Sequence, residues 1–275
     1  YSLQHFNGMH NTLASIGGSM DSDNNPELIS LDGLRNLTDI AGDILIYQND
    51  NLISITALEN LNASSIHNLY IYDNPSLKRC QAIAICDYLQ SPAGTVNIYN
   101  NKQGCDNPGE IANECGYTIP CLPFGNYFFM KQSDIDDFQD DFPLCNTLNG
   151  EVLIQGSDIT SLAGLDTLES IYGKLFIENN SSLSTLGGLN GLTTIYGNLY
   201  IRNNPVLSSL NGLENLDSIT MNFYLGEVIN GFENPLLNDI SALLNLEYIG
   251  NNLLILANHS LTSLYGLNNL AEVGH

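Results

Sequence analysis

Tryptophan is absent from this 275-residue sequence, and positively charged residues are scarce. Only 7 Lys and Arg stand against 30 Asp and Glu, which gives a formal net charge of -23. Binding to nucleic acid or to an anionic membrane surface requires cations that neutralise phosphates. We therefore expect neither partner. Crossing a bilayer would take roughly 20 consecutive apolar residues, and no stretch comes near that length, so we also expect no membrane insertion within this segment.

The sequence motifs of common catalytic sites are missing as well. There is no GxSxG, no HExxH and no glycine-rich phosphate loop with a lysine. The histidines are dispersed and stand in no repeated relation to a serine, a cysteine or a pair of carboxylates. They are His5, His10, His67, His259 and His275. We expect no enzymatic activity and no cofactor.

Calcium is the one metal for which the sequence offers candidate ligands. The stretch DSDNN, which contains Asp21 and Asp23, imitates the beginning of an EF-hand loop, and Asp32 stands where the closing acid would be. Pro26 occupies the position where such a loop needs glycine for its sharp turn. Because the same residues also fit a repeated strand pattern, a structural role is favoured and the calcium site stays the weaker alternative.

The cysteines occur in a single band of the chain, and their number is even. They are Cys80, Cys86, Cys105, Cys115, Cys121 and Cys145. No zinc-like CxxC pair is present, so the pattern favours disulfides formed in an oxidising compartment, and hence an extracellular, secreted or cell-surface protein. Six cysteines allow 15 pairings. We expect Cys80 with Cys105, Cys86 with Cys115 and Cys121 with Cys145, since each pair would tie one small element to the next.

A repeat of 24 residues organises most of the sequence. When LYIRNNPVLSSLNGL is placed under LFIENNSSLSTLGGL, Leu175 aligns with Leu199, and Ile177 with Ile201. A unit this short has one apolar edge and is stable only when it stacks on copies of itself. Alternating residues at the start of each copy indicate a short strand, and an apolar set and an Ile-x-Gly corner follow.

These features predict a mainly β fold, a right-handed parallel β-solenoid with leucine-rich repeats of about 24 residues and short helical caps. Long helices do not fit beside a strand and two corners in so short a repeat, whereas three extended sides do. Corner glycines such as Gly197 are expected at positive φ. Recurring asparagines are expected to point inward as a ladder that bonds the backbone of adjacent coils. They are Asn25, Asn49, Asn74, Asn101, Asn180, Asn204 and Asn258.

Two tandem solenoids are predicted. Residues 1–117 would form the C-terminal part of a first solenoid, closed by a disulfide-tied cap with helices at 81–90 and 107–115. Residues 118–132 would be a connector. Residues 133–275 would form a second solenoid, which begins with a helical cap at 133–142, N-capped by Ser133, and lacks an exit cap. One coil is 30 residues long, with an insertion around 226–232. Both ends lie within a repeat, so we expect an excerpt of a longer precursor.

The motif I-x-G-x-L-x-I followed by L-x-x-L-x-x-L-x-x-I resembles the receptor L-domain family, the leucine-rich β-helix of insulin and growth-factor receptor ectodomains. It is carried by Ile195, Gly197, Leu199 and Ile201, then Leu207, Leu210, Leu213, Leu216 and Ile219. The sequence is more similar to bacterial versions in secreted and surface proteins of the Bacteroidetes type. It departs from the pattern at Asn68 and Thr220, where a corner glycine is usual, and in the FYLGEV line, which has no ladder asparagine. The resemblance implies an extracellular β-helix and leaves the ligand open.

The variable positions of the strands give the sharpest functional signal. They alternate with the inward Leu and Ile, so they lie on one outer sheet, where rings of neighbouring coils would stack. The candidate binding residues are Tyr47, Tyr70, Tyr72, Tyr99, Phe176, Tyr200 and Tyr224. Tyrosine offers an apolar ring with a hydroxyl, which suits a sugar or a protein partner. The competing interpretation is that these aromatics only pack along the sheet.

Two functions from different classes remain open on the sequence. The first is a non-enzymatic extracellular recognition or adhesion module, which binds a surface glycan or protein through outward tyrosine ladders. The alternative is a structural spacer or subunit of a cell-surface fibre or layer, which binds copies of itself. Assembly without any added ligand would favour the second.

Overall fold

A computed structural model describes residues 3–4, 12–227 and 233–274. Most of the predicted insertion, residues 228–232, lies outside these ranges, as do His5, His10 and His275. The chain divides into two units. Unit 1 contains the described residues up to Asn126 together with Asp141–Pro143, and unit 2 contains Tyr127–Asp140 and the described residues from Leu144 onward.

The described residues of unit 1 form a parallel β-solenoid with two sheets. The four-stranded sheet consists of β2 (Met20–Asp23), β4 (Ile44–Tyr47), β5 (Leu69–Tyr72) and β6 (Val96–Tyr99). The second sheet pairs β1 (Ser15–Ile16) with β3 (Asp39–Ile40). Ile44 pairs with Leu69, and Leu69 with Val96, so the apolar residues of successive coils stack in register inside the solenoid, where all three are fully buried.

Unit 2 repeats this architecture with two six-stranded parallel sheets. One contains β7 (Tyr127–Phe129), β9 (Val152–Ile154), β11 (Leu175–Glu178), β13 (Leu199–Arg202), β15 (Phe223–Leu225) and β17 (Leu253–Ile255). The other contains β8 (Thr147–Leu148), β10 (Ser170–Ile171), β12 (Thr194–Ile195), β14 (Ser218–Ile219), β16 (Tyr248–Ile249) and β18 (Glu272–Val273). Leu175 pairs with Leu199 and Ile177 with Ile201, the alignment read from the 24-residue repeat. The predicted fold class is confirmed.

The third side of the coils is not extended, which corrects the prediction of three extended sides. It contains tight turns and 3₁₀ helices, at Asp32–Leu34, Thr56–Leu58, Ala163–Leu165 and Ser241–Asn245, whereas the 3₁₀ helix Ala63–Ser65 lies next to β3, on the side of the second sheet. The leucines on this side recur every third residue, and a 3₁₀ turn places such residues on one face. Leu213 N–H bonds the Leu210 carbonyl at 3.2 Å, and Leu216 N–H bonds the Leu213 carbonyl at 3.1 Å, while all three side chains are buried.

In the described ranges, four short α-helices accompany the coils: α1 (Ile83–Gln90), α2 (Pro108–Glu114), α3 (Gln132–Asp136) and α4 (Phe138–Asp141). In unit 1, disulfides join Cys80 to Cys105 and Cys86 to Cys115. Cys121 and Cys145 are disulfide-bonded as well. None of the helices in the described ranges is long and apolar enough to cross a membrane.

The predicted entry helix at 133–142 is divided between α3 and α4, and Ser133 is not its N-cap. The helix begins one residue earlier because Asp134 supplies the capping acceptor. Its Oδ2 accepts the backbone N–H of Met130 at 2.7 Å and of Lys131 at 3.1 Å. A carboxylate in the first turn is also favoured by the helix dipole.

The segment predicted as a connector, 118–132, contributes the first strand of unit 2. β7 pairs with β9 in parallel, and it buries Tyr127 and Phe129 while Phe128 faces the other way. The rings of Tyr127 and Phe129 lie 6.5 and 5.6 Å from that of Phe138, both edge to face. The alternation of buried rings explains why this stretch is a strand rather than a linker.

The corner glycines are required for a reason other than the one predicted. Gly197 does not have a positive φ, but a Cβ at this position would lie 2.3 Å from the Gly173 carbonyl oxygen of the preceding coil. Among residues other than glycine, positive φ values occur just before the ladder asparagines. The residues concerned are Asn24, Gln48, Asp73, Asn100, Asn179, Asn203 and Ala257. Close stacking of coil on coil is therefore what excludes a side chain at Gly197.

The recurring asparagines point inward and connect the coils. Asn49 Nδ2 donates to the Ser22 carbonyl at 2.8 Å and to the Tyr47 carbonyl at 2.9 Å, while Asn49 N–H donates to Asn74 Oδ1 at 3.1 Å. Asn25 takes part through its backbone N–H, which donates to Asn49 Oδ1 at 3.2 Å. Each amide thus satisfies buried backbone groups that the turn leaves without a partner.

One member of the ladder was missed in the sequence. Asn234 is fully buried in the 30-residue coil, accepts the Asn204 N–H at 3.1 Å and donates to the Ile201 carbonyl at 2.9 Å. Sequence alignment without gaps misses it because the insertion separates it from its strand. The signal was the Asn-Pro pair of ENPLL, which also follows the strands at Asn74 and Asn204.

Candidate functional site

The outward residues of the four-stranded sheet form a continuous surface, which we call the unit 1 face. They are Asp21, Asp23, Leu45, Tyr47, Tyr70, Tyr72, Asn97 and Tyr99. In β4, β5 and β6 buried residues alternate with partly exposed ones, because successive side chains of a strand point to opposite sides of the sheet. The sequence predicted this arrangement for each tyrosine in the set.

Three of these tyrosines stack in one column. The ring centroids of Tyr47 and Tyr72 lie 5.0 Å apart with an interplanar angle of 16°. Those of Tyr72 and Tyr99 also lie 5.0 Å apart, at 1°. Tyr70 belongs to the neighbouring row, where its partners in register are Leu45 and Asn97, so it shares the face without joining the stack.

Carboxylates surround the column of unit 1. A hydrogen bond to Asp23 is the main cause that raises the pKa of Tyr47, with smaller contributions from burial and the charge of Asp21. Burial, followed by the charge of Asp73, raises the pKa of Tyr99 to about 12. These phenols therefore stay neutral at physiological pH. The outward strand residues include no Lys or Arg, so the unit 1 face is both aromatic and acidic.

Unit 2 carries a second column on the corresponding sheet. Phe176 and Tyr200 stack at 4.5 Å and 5°, and Tyr200 and Tyr224 at 4.5 Å and 2°. Beside the column, Arg202 lies 5.2 Å from the Tyr200 ring centroid. Its Nε and Nη1 each lie 2.6 Å from a carboxylate oxygen, of Glu178 and Glu227 respectively. The column of unit 2 is therefore flanked by an ion-pair network rather than by acids alone.

The geometry of both columns limits what they bind. Rings that stack at 4.5–5.0 Å cover each other's faces and present their edges and hydroxyl groups outward. A sugar that stacks on tyrosine needs an uncovered ring face, which Tyr72 and Tyr200 do not offer because each has a ring on both sides. Ring edges with hydroxyls suit contact with a protein surface, where tyrosine is enriched.

A third aromatic stack, which contains two rings, was missed in the sequence. Tyr172 and Tyr196 stack at 4.1 Å and 8°, next to the second sheet of unit 2, and they are 51% and 45% exposed. The signal was the repeated Ile-Tyr-Gly at 171–173 and 195–197. The Ile-x-Gly motif predicts only a corner, so it does not point to the tyrosine between Ile and Gly.

The weak calcium candidates, Asp21 and Asp23, both project from β2 on the unit 1 face. Calcium takes six to eight oxygen ligands. In the described ranges no group of three or more His, Cys, Asp or Glu side chains is arranged to hold a metal ion. The two aspartates instead supply negative charge beside Tyr47.

Comparisons with known proteins identify a family and a structural neighbour. A family model described as Receptor L domain matches residues 14–115 and 144–241, well over half of the chain, with one match in each unit. Among solved structures, an internalin (inlF) from Listeria monocytogenes is similar over 88% of this chain and 74% of that chain, at 14% identity and a TM-score of 0.35. A likeness this weak carries no inference. None of the curated proteins matches the sequence.

Proposed function

Because the chain belongs to the Receptor L domain family, we propose that it is a non-enzymatic, extracellular recognition module whose unit 1 face binds a protein partner. The observation that carries this proposal is the stacked column of Tyr47, Tyr72 and Tyr99 on an outward, acidic sheet surface. Rigid tyrosines give large contact area at little cost in conformational entropy. The disulfides support an oxidising, extracellular setting.

The charge of the unit 1 face favours a basic segment of the partner. Asp21 and Asp23 lie on the face, and Asp73 lies next to Tyr72, whose pKa is raised by burial and then by the charge of Asp73. No outward strand residue offsets these charges. A segment rich in Lys or Arg would complement them, which speeds association and excludes acidic competitors.

The same charges oppose the structural alternative, a subunit that assembles through this face. Two copies placed face to face would bring two acidic surfaces together, and like charges across an interface are costly. A monomer in size-exclusion chromatography with light scattering is therefore the expected state without ligand. Self-assembly would be favoured instead if oligomers form with rising concentration and if Asp23→Lys either abolishes or enhances them.

Binding is expected to depend on the tyrosine column. We would select ligands for the two-unit chain from a random peptide display library and measure their affinities by biolayer interferometry. Tyr47→Ala with Tyr72→Ala should weaken the selected basic peptides at least tenfold, about 1.4 kcal/mol, because it removes the central contact area. The melting temperature should change little, since both rings are partly exposed.

The matched control is Tyr172→Ala with Tyr196→Ala. It removes a different stacked tyrosine pair, which lies in unit 2, and should leave the affinity for the selected peptides unchanged. A glycan array of the same protein serves as the competing arm. Loss of affinity in both double variants, or a parallel fall in melting temperature, would assign the column a structural role. Saturable glycan binding that Tyr47→Ala with Tyr72→Ala abolishes would replace the protein partner by a sugar.

Salt should weaken the same interaction. Raising ionic strength from 0.05 to 0.5 M shortens the screening length to a few ångströms, by about a factor of three, and should reduce the affinity for basic peptides about tenfold. Asp23→Asn should flatten this dependence, since it removes one charge of the face without removing a ring. A salt-independent affinity would contradict the electrostatic part of the proposal.

A further inference from the structure

A cavity of about 380 Å³ lies at one end of the aromatic column in unit 2. Its walls are the rings of Tyr200 and Tyr224, the ion pair of Arg202 and Glu227, and the side chains of Leu254 and Leu256. This volume falls in the lower part of the range found for small-molecule sites. The cavity lies in a different unit from the unit 1 face and is not needed for the function proposed above.

Gly226 creates the cavity. Glu178 pairs with Arg202 in register, and the next residue in that outward row is Gly226, which follows Leu225, the partner of Ile201. The row therefore has a gap between Arg202 and Leu256. Gly226 has a φ of +78°, and a Cβ there would lie 1.9 Å from the Leu256 carbonyl oxygen. The gap is thus fixed by the backbone and not by a side chain that has turned away.

The charged wall selects against charged ligands. Arg202 is bound by Glu178 and by Glu227 at 2.6 Å each, and its side chain is only 22% exposed. Although burial disfavours the charged guanidinium, the two carboxylates outweigh this effect and raise the pKa of Arg202. A ligand carboxylate would meet the Glu227 carboxylate, and a ligand ammonium group would meet the Arg202 guanidinium. Both charged classes are therefore disfavoured.

A neutral sugar fits both halves of the cavity. Neighbouring hydroxyl groups of a pyranose ring donate to a carboxylate such as Glu227 and accept from a guanidinium such as Arg202. The apolar C–H face of the same ring would pack on Tyr224, Leu254 and Leu256. Tyr224 is the end of its stack, because its partner in register on the next strand is Leu254 rather than a ring.

We propose that the cavity bounded by Tyr224, Arg202, Glu227 and Leu254 binds one neutral sugar residue. The site takes a single ring, held by two-sided hydrogen bonds to the ion pair and by apolar packing on the opposite wall. Sugar binding here is separate from protein binding on the unit 1 face, so either activity can fail alone.

The proposal is tested by titrating the whole two-unit chain with matched sugars in isothermal calorimetry and saturation-transfer NMR. The probes are the methyl glycosides of glucose, galactose, mannose, fucose and N-acetylglucosamine, with glucuronate and glucosamine as charged counterparts. At least one neutral sugar should bind saturably. Its charged counterpart, with carboxylate or ammonium in place of a neutral group, should bind at least tenfold more weakly.

The two carboxylates that bind Arg202 provide a matched pair of variants. Glu227→Ala should reduce the affinity for the preferred sugar at least tenfold, because Glu227 lines the cavity. Glu178→Ala removes the other partner of Arg202, outside the cavity, and should change affinity less than threefold. Leu254→Trp should also abolish binding by filling the space, and circular dichroism would verify that each variant is folded.

Three results would overturn the proposal. They are the absence of saturable binding for every neutral probe, equal losses in Glu227→Ala and Glu178→Ala, and tighter binding of glucuronate or glucosamine than of the neutral sugars. Tyr47→Ala with Tyr72→Ala, which tests the unit 1 face, should leave sugar affinity intact. Loss of sugar binding in that variant would place the sugar site on unit 1 rather than in the cavity of unit 2.

Discussion

Asn204→Ala is expected to lower the free energy of unfolding of unit 2 by about 4 kcal/mol, since each buried group left without a partner costs about 1–3 kcal/mol. Asn204 is fully buried, and its Nδ2 donates to the Ile177 and Arg202 carbonyls at 2.9 and 3.1 Å. Its Oδ1 accepts the Asn180 N–H at 3.2 Å and the Asn180 Nδ2 at 3.0 Å. Its Nδ2 also donates to Asn234 Oδ1 at 3.3 Å, so alanine would remove five bonds at once and leave a small cavity.

Urea denaturation followed by circular dichroism measures this loss. The matched control is Asn215→Ala, in the same unit, whose exposed side chain donates to the Asn190 carbonyl at 2.7 Å. It should cost no more than about 1 kcal/mol, since water can replace the bond. Similar losses in the two variants would mean that the ladder stabilises the coil no more than a surface hydrogen bond does.

The periodic part of the fold could be predicted from the sequence because each repeated residue has one role in every coil. Alternation in Leu199-Tyr200-Ile201-Arg202 gave the strand and its two faces, and the recurring Asn204 position gave the ladder. The tyrosine columns followed from the same alternation, since residues in register on parallel strands must be neighbours. Spacing alone was enough for these features.

Other features depend on distances between coils, which spacing does not contain. Leu207, Leu210, Leu213 and Leu216 recur every third residue, but the sequence alone does not show whether this period belongs to an extended side or to 3₁₀ turns. Asn234 was lost because an insertion shifted it along the chain. The cavity arises because one coil has Gly226, which lacks a side chain, followed by the carboxylate of Glu227. Such a difference between single coils is not visible in the pattern that the repeats share.

The sequence does not show which part of the stacked aromatic rings is exposed to a ligand. Strand register predicts that Tyr47, Tyr72 and Tyr99 are neighbours, but not whether their rings lie face to face. With centroids 5.0 Å apart and nearly parallel planes, the faces are covered and the edges are presented. This geometry is the reason why we propose a protein rather than a sugar as the ligand of the unit 1 column, and why the proposed sugar site lies where the stack of unit 2 ends.

Gly197→Ala is expected to destabilise unit 2 by about 3 kcal/mol, the upper part of the range for overpacking a buried site. A Cβ would lie 2.3 Å from the Gly173 carbonyl oxygen, 2.6 Å from its carbon and 3.0 Å from the Lys174 nitrogen. All three atoms belong to the backbone of the preceding coil, so no side-chain rotation can relieve the clash. The coils would have to separate, which would also lengthen the hydrogen bonds between β11 and β13.

Gly187→Ala is the matched control, because it makes the same substitution in the same unit without a clash. The nearest atom to a Cβ at Gly187 is Thr185 Oγ1 at 3.6 Å, an ordinary contact, and its φ is not positive. This variant should be neutral or slightly stabilising, since alanine restricts the unfolded chain more than glycine does. Comparable losses in both variants would show that the glycines serve flexibility. A loss confined to Gly197→Ala would establish that the distance between coils, set by backbone contact, fixes the spacing on which the ladder and the tyrosine columns both depend.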